Sequence, residues 1–439
     1  MSGAQVRLGL RENAAQFTLL VAVNAFVGAM VGLERSTLPL IGRQDFDVGS
    51  SAAVLSFIVA FGLAKAFTNL GAGALAERLG RKRLLVIGWG FALPVPLLVA
   101  VAPSWGWIVA ANLLLGVNQG LAWSMTVVMK IDLVGPKRRG LALGLNEAAG
   151  YGGVAVAAAL SGLLATQFAP RHVLVIAGAA IAVLAFLVSL RFVRDTGEHM
   201  ALEQRQQSDA TTTAPPLGQA FRDATYRHAP LRACSQAGLV NNLNDALAWG
   251  LVPLFLAAHG TSDGHIGLIA GIYPAVWGAG QIWTGHWSDS VGRKPLIVAG
   301  MMLQAGALLL LALSGGRVAA AALSAVLLGV GTAFVYPTLI AAISDAVTPI
   351  ARAPTVGVYR FWRDMGYVAG GVIAGLAADA IGFGGAISVV AGLTAASGIW
   401  VLLDMPSTHV RERPPTAPHP AASPDPPRGR SRRSARSGW

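Results

Sequence analysis

The sequence predicts an all-α polytopic membrane protein, with twelve transmembrane helices in two six-helix halves, and three observations carry that reading. The first is composition. Apolar residues make up 54% of the 439 and charged residues 12%, with a mean hydropathy of +0.57, whereas a soluble domain carries about 25% charged residues. A water-soluble globular domain is thereby excluded. The second is segmentation. A hydrocarbon core about 30 Å thick needs about 20 apolar residues at 1.5 Å each, and the chain offers such segments at 14–40, 50–75, 84–102, 106–131, 140–166, 172–192, 233–258, 265–287, 296–314, 318–345, 354–380 and 384–403. The third is repetition. Gly73, Glu77, Gly80, Arg81 and Lys82 recur 212 positions later as Gly285, Asp289, Gly292, Arg293 and Lys294. At an offset of 213, Leu115-Gly-Val117 answers Leu328-Gly-Val330, and Asp132, Arg139 and Gly144 answer Asp345, Arg352 and Gly357. The chain reads as a tandem duplication.

These boundaries divide it into a first half over 1–192, a linker over 193–231, a second half over 232–404 and a tail over 405–439. The N-terminal stretch up to Glu12 lacks a small-residue cleavage site after a short apolar core, so it reads as a lead into the first helix. The linker turns polar, with Glu203-Gln-Arg-Gln-Gln-Ser-Asp209 and then Thr211-Thr-Thr-Ala-Pro-Pro216. It has too little apolar surface to order itself, apart from a short interfacial helix expected near Phe221 to Arg227. The tail is rich in Pro and Arg, and is expected to be disordered and to rest on anionic lipid headgroups.

The net charge of +12 first suggests nucleic acid, but the positions of the cations assign it to topology. Arg7, Arg11, Arg78, Arg81, Lys82, Arg83, Lys137, Arg138, Arg139, Arg191, Arg194, Arg293, Lys294 and Arg352 fall on one side of the twelve-helix map, and Arg43, Arg171 and Arg317 on the other. Basic short loops mark the cytoplasm. Both termini and the linker are therefore expected to be cytoplasmic in an inner membrane. Membrane lipids are the expected macromolecular surroundings, with no nucleic-acid partner. The single cysteine, Cys234, removes any intramolecular disulfide and reads as a buried apolar residue.

The run Gly73-Ala-Leu-Ala-Glu-Arg-Leu-Gly-Arg-Lys-Arg-Leu-Leu85 resembles the loop signature between the second and third helices of the major facilitator superfamily, with Glu77 in place of the usual Asp. The copy from Gly285 to Lys294 sits where that family's second half carries it. The resemblance covers roughly residues 12 to 404 and implies two halves around one central cavity. It also implies a cytoplasmic charge cluster of Glu77, Arg81 and Asp132 acting as a gate, with Gly73 and Gly80 beside it and Asp289, Gly292 and Arg293 as its second-half counterparts. Two family features are absent. Helix 5 has the glycine run Gly150-Tyr-Gly-Gly153 of the antiporter signature without its proline. Helix 4 has Gly116 where the drug–proton antiporters place an arginine four residues before Gly120.

Charges within the spans are the better guide to a site, because they are costly and usually face the bundle interior. They are Glu34 and Arg35 in helix 1, Lys65 in helix 2, Glu147 in helix 5, Asp245 in helix 7, and Arg360, Arg363 and Asp364 in helix 11. A site lined by both signs suits a charged or zwitterionic solute. Each residue has a structural alternative. Arg360 and Asp364, four apart, can neutralise each other, and Glu34 and Arg35 can snorkel to the outer interface. Asn241, Asp245 and Trp249 form a stripe on helix 7 whose asparagines can equally be packing glue. Asp245 lies about 13 residues into its span, some 20 Å deep. It has only asparagines and apolar neighbours on its own helix, which makes it the first candidate for proton coupling, followed by Glu147 beside Asn146. Among the aromatics, Trp123 and Tyr336 occupy equivalent repeat positions and are the preferred cavity residues.

The predicted function is secondary active transport of a small solute by alternating access, with a proton or another ion as the coupling species. The resemblance allows drug or metabolite efflux, organic or inorganic anion transport, and metal or metalloid resistance; of these, proton-coupled efflux by an antiporter that works as a monomer is the expectation. Import or uniport of organic or inorganic anions, and a solute sensor of the same fold, are the alternatives. No Walker-type phosphate loop, His-Glu-x-x-His pattern or nucleophile constellation occurs, so neither an enzyme, a metal site nor a cofactor is predicted. The topology is directly testable. A cysteine placed at Ser208 should stay unreactive toward an impermeant thiol reagent applied to intact cells, and labelling from outside would overturn the orientation.

Overall fold

The computed structural model describes residues 6–135, 139–206, 215–348 and 351–406; the side chains of Glu77 and Asp289, and the residues beyond 406, lie outside the described set. The first half comprises α1 (Ala14–Gln44), a short α2 (Ser51–Val54) leading into α3 (Ser56–Leu79), α4 (Arg81–Ala92) continued by α5 (Pro94–Val101), α6 (Trp105–Val134), α7 (Arg139–Leu164) and α8 (Pro170–Arg191). Two helices of the connecting segment follow, α9 (Gly197–Gln206) and α10 (Leu217–Arg222). The second half comprises α11 (Ala229–Ala258), α12 (Asp263–Val291), α13 (Arg293–Ala312), α14 (Val318–Ala346) and α15 (Arg352–Asp404).

Nine stretches among the described residues are long and apolar enough to cross a membrane. The last of these spans twice, because Gly382 (φ 77°, ψ 170°) breaks α15 into two helices. The helices α11, with 30 residues, and α12, with 29, have the length but are less apolar. In α11 the reason is Asn241, Asn242, Asn244 and Asp245, all buried. Twelve membrane-length helices result. The chain is thus a multi-pass membrane protein, since only helices or closed barrels satisfy every backbone polar group inside lipid.

The duplication is structural as well as textual. Gly80 ends α3 at φ 85°, ψ 152°, and Gly292 ends α12 at φ 98°, ψ 154°. A side chain at either position would be strained, which is why both copies keep glycine. Just beyond each turn an arginine folds back onto the end of a later helix of its own half. Arg81 Nε donates to Asp132 Oδ2 at 2.8 Å, and Arg293 Nε to Asp345 Oδ2 at 3.0 Å. These residues and both chain termini of the bundle lie at one end, called here the basic end. At the other end Arg171 donates to the carbonyls of Val99, Ala100 and Ala102, satisfying acceptors that the end of α5 leaves open.

The halves meet along three seams, α7 with α12, α3 with α15, and α1 with α11. From mid-bundle to the non-basic end the seams are set by glycine. A Cβ on Gly162 would fall 2.4 Å from the Cα of Gly267, one on Gly271 would fall 2.8 Å from the carbonyl of Ala155, and one on Gly375 would fall 2.6 Å from the Cα of Ala52. Small residues of this kind let membrane helices approach closely. At the basic end, Gly73, Gly144 and Gly357 have nothing of the other half within 4 Å. The halves are therefore closed together at the non-basic end. Asp379 of α15 completes that closure, accepting from Ser50 Oγ at 2.5 Å and from the backbone N–H groups of Ser51 and Ala52 at 2.6 and 3.0 Å.

The connecting segment is described over 193–206 and 215–231, while residues 207–214, with much of its polar runs, lie outside the described residues. Thr196 donates to Asp132, and α9 follows. Leu217–Arg222 is helical, Asp223–Arg227 forms a π-turn, and Thr225 accepts from Trp362 Nε1 at 3.0 Å. Phe221, packed against Phe361 and Trp362, supplies the apolar contact that the polar run around it lacks. His199 on α9 lies against Asn13, and partial burial holds its imidazole below the ordinary value, so it stays neutral at pH 7.

Candidate functional site

Five helices, α1, α3, α7, α11 and α15, bring the intramembrane charges to the seams. From α1, Arg35 crosses to α11, where Nη1 lies 2.7 Å from Asp245 Oδ1 and Nη2 donates to Oδ2 at 2.8 Å. Tyr367 of α15 donates to the same Oδ2 at 2.6 Å. Asp245 is fully buried and Arg35 is 2% exposed, so this bidentate pair joins the halves where water does not compete. Trp249 lies under the guanidinium at 5.3 Å and packs edge-on against Phe57 and Phe61. Its role is to wall the pair. Asp245 is therefore not the carboxyl with only its own helix for company that the α11 sequence suggests, because its partners come from two other helices.

A second group lies beside it. Asp364 faces Lys65 of α3, with Nζ to Oδ1 at 3.7 Å, and accepts from Asn69 Nδ2 at 2.5 Å, while Ser124 of α6 donates to Asn69. The i,i+4 pair expected between Arg360 and Asp364 gives way to these cross-seam contacts. The Lys65 ammonium is ringed by Phe61, Trp123 and Tyr367 at 5.5, 5.8 and 5.3 Å. Arg363 donates to Tyr151 of α7 at 3.0 Å and lies over the rings of Tyr336 at 4.4 Å and Trp277 at 5.9 Å. Glu147 of α7 accepts from Trp123 Nε1 at 3.0 Å and from Asn146 Nδ2 at 3.1 Å, both through Oε1. Its other oxygen, Oε2, is buried without a hydrogen-bond partner, as are Arg363 Nε and Glu34 Oε2. Such atoms cost free energy unless a ligand, a proton or a second conformation satisfies them.

Thus Arg35, Lys65, Trp123, Asn146, Glu147, Asp245, Trp249, Tyr336 and Arg363 converge, and Arg360 sits half-buried one turn before Asp364. Other expected residues do not join them. Asn241 accepts from Gln304, which bridges to Asn244 and on to Thr394, a packing network inside the second half. Glu34 is buried away from the outer interface and lies against Asn112 of α6. Four participants are missed by the sequence reading. Tyr151 and Tyr367 stand four residues after Glu147 and Arg363, on the same helical faces, a spacing that would have found them. Asn69 stands four after Lys65. Lys130, fully buried and donating to the carbonyl of Leu20 at 3.2 Å, is an intramembrane cation that the argument from cost already covers.

The expected gate residues lie at the basic end. Arg81 and Asp132 pair as expected, with Thr196 donating to the same Asp132 oxygen at 2.6 Å. The pair ties α4 to α6 within one half and crosses no seam in this conformation, and the second-half pair likewise ties α13 to α14. Gly73 faces open space, whereas Gly80 makes the turn.

Two halves of this geometry, each opening on the same turn and charge pair, match the family model of the Major Facilitator Superfamily over residues 15–238 and again over 234–437. The chain belongs to that superfamily. A multi-drug resistance efflux pump PmrA homolog of Lactococcus lactis subsp. lactis is 25% identical over 371 residues, covering 82% of this chain and 88% of the relative. A probable 4-methylmuconolactone transporter of Cupriavidus pinatubonensis is 24% identical over 259 residues, and the match spans 58% of each chain. Among solved structures, the nucleoside transporter NupG superposes with a TM-score of 0.70 at 15% identity, covering 88% of this chain and 100% of that one. That likeness shows the fold.

The two end pairs differ in burial, and this sets their expected worth. The Asp132 side chain is 8% exposed and that of Asp345 55%. Removing one partner of a buried pair costs about 3–5 kcal/mol, while an exposed pair is worth about 0–1 kcal/mol. Asp132→Ala should therefore lower the thermal unfolding temperature of the detergent-solubilised protein well below that of Asp345→Ala. Equal losses would show that burial does not set the difference.

Proposed function

We propose that this superfamily member is a secondary active transporter that moves a small charged solute by alternating access and couples that movement to protons at Glu147. The observation that carries the reading is the buried meeting of both charge signs along the seams between the halves. Lys65 and Glu147 belong to the first half and Arg363 and Asp364 to the second, so relative movement of the halves changes the contacts between the two sets, the one between Lys65 and Asp364 first. A binding site split between two rocking bodies near the midplane is what alternating access requires. With the basic end taken as cytoplasmic, the conformation described is closed to the outside.

Coupling is assigned to Glu147 in preference to Asp245 on the same physical ground that first favoured Asp245. A proton carrier needs a carboxyl that can be neutral in one state and ionised in the other. Asp245 is committed to Arg35 and Tyr367. Glu147 has a buried, unpartnered Oε2 that a proton would let it use as a donor. Arg35 and Asp245 then act as the lock of the outward-closed state, and the Arg81–Asp132 and Arg293–Asp345 pairs keep each half rigid as it moves. The cytoplasmic membrane, with both termini inside, is the proposed location.

Efflux is a second reading of the direction, favoured by the Lactococcus efflux pump, whose match runs through most of both chains; the Cupriavidus relative's name fits a small organic solute equally well. In proteoliposomes screened across a solute panel with and without a pH gradient, Glu147→Gln should abolish accumulation driven by the gradient while leaving downhill exchange. Accumulation by Glu147→Gln with the parent's pH dependence would remove Glu147 from the coupling role.

A further inference from the structure

The cations of the central site outnumber its carboxylates, and aromatic rings surround Lys65 and Arg363. Lys65, Arg360 and Arg363 stand against Asp364 and Glu147, the Arg35–Asp245 pair being neutral in itself. Neither cation beside Asp364 is in hydrogen-bonding contact with it, since Lys65 Nζ and Arg363 Nη1 each stop 3.7 Å from Oδ1, while Asn69 holds the other oxygen. Arg363 is 6% exposed, and its Nε is buried with no partner. Around these groups stand Trp123, Tyr151, Trp277 and Tyr336. Tyr151 lies 3.6 Å from Trp277 between ring centroids, and Trp123 lies 5.3 Å from Tyr151.

We infer that the solute of this site is a small planar aromatic monocarboxylate, its carboxylate between Arg363 and Lys65 and its ring among Tyr151, Trp277 and Tyr336. This deepens the proposed transport reading and rests on it. A guanidinium presents donors in a planar fork that matches a carboxylate, and the unsatisfied Nε supplies one of them. Bringing an anion among these cations lowers the net charge that lipid surroundings make costly. A cationic solute would raise it, and a neutral one would leave it unchanged.

The site also makes this binding depend on Glu147. The charged and titratable groups whose charge acts on it are Lys65 from α3, Lys130 from α6, Tyr151 on its own helix and Tyr336 from α14, while its hydrogen bonds come from Trp123 and Asn146. Glu147 and Lys65 stand on either side of Trp123, whose Nε1 donates to the carboxylate and whose ring lies 5.8 Å from the ammonium. A negative charge on Glu147 opposes an incoming carboxylate there, so the anion enters together with one proton on Glu147. No covalent step is involved. The proton moves from water to Glu147 and returns to water on the other side.

The test is calorimetric titration of benzoate into the purified full-length protein in detergent, with benzamide and benzylamine as ring-matched neutral and cationic probes. Benzoate should bind saturably and at least about tenfold more tightly than either. Arg363→Gln and Lys65→Gln should each weaken it by about tenfold or more, whereas Arg363→Lys, which keeps the charge, should lose less. Titrations repeated in buffers of different ionisation enthalpy should show uptake of close to one proton per benzoate, and none in Glu147→Gln. Thermal unfolding of each variant separates lost binding from lost folding, and a variant that does not fold is replaced by competition of benzoate against iodide quenching of tryptophan fluorescence in the parent. Absence of benzoate binding, preference for benzylamine, or benzoate affinity unchanged in folded Arg363→Gln would each overturn the inference. Benzoate binding without flux of any solute would instead count against the transport reading alone, and flux of another solute without carboxylate binding against this inference alone.

Discussion

The bidentate ion pair between Arg35 and Asp245 is the interaction on which the rest of this structure depends. Stripping water from two charges costs several kcal/mol per ion, and mutual attraction repays this only where the geometry is good and the remaining valences are met. Here Nη2 donates to Oδ2 at 2.8 Å, Nη1 stands 2.7 Å from Oδ1, Tyr367 adds a 2.6 Å donor and Trp249 seals the pair, so most of the valences are met, Arg35 Nε being left without a hydrogen-bond partner. The pair joins residues 210 positions apart, one from each half. Under the alternating access proposed above, a buried link between the two bodies is strong only while they are in register. It can therefore favour one conformation over the other by several kcal/mol without contributing to the fold of either half.

The glycine seams and the end pairs divide the remaining work. Close approach at Gly162 with Gly267, and at Gly375 with Ala52, gives dispersion contact that needs flat, matched surfaces. Such contact is lost over a fraction of an ångström when the halves rock. By contrast, Arg81–Asp132 and Arg293–Asp345 hold helices within a half, so rocking leaves them intact. The duplicated sequence keeps this arrangement twice, as the proposed rocking of two rigid halves requires, while the contacts across the seam, Arg35 with Asp245 and Lys65 with Asp364, have no such twin.

This division also explains what the sequence could disclose. Twelve spans, two halves and the turns at Gly80 and Gly292 were legible, because hydropathy, repetition and positive-φ glycine act locally. The charged residues were legible as a set, since each is costly in lipid for a reason independent of its neighbours. Their partners were not. A helical sequence reports what lies three or four residues away, so it offered Arg360 to Asp364 and asparagines to Asp245, whereas packing supplied Lys65 and Asn69 to the first and Arg35 and Tyr367 to the second. Asn241 went the other way, from apparent site residue to packing, once Gln304 appeared beside it. In the connecting segment the short helix at Phe221 was legible from its aromatic side chain, whereas α9 was not, because the polar run around it gives no local signal for the contact between Thr196 and Asp132 that precedes it.

The account stands most directly on whether the Arg35–Asp245 pair holds the halves together at the non-basic end. Pulsed electron spin-resonance distances between labels at Gly144 and Gly357, on the basic ends of opposite halves, and between labels at Gly49 and Ile381, at the other end, would measure this in lipid nanodiscs. In the parent the account predicts a long basic-end distance and a short non-basic one as the main population. In Arg35→Ala it predicts a shift toward the opposite arrangement, the first distance shortening as the second lengthens. Distance distributions that are the same in Arg35→Ala and the parent would contradict it.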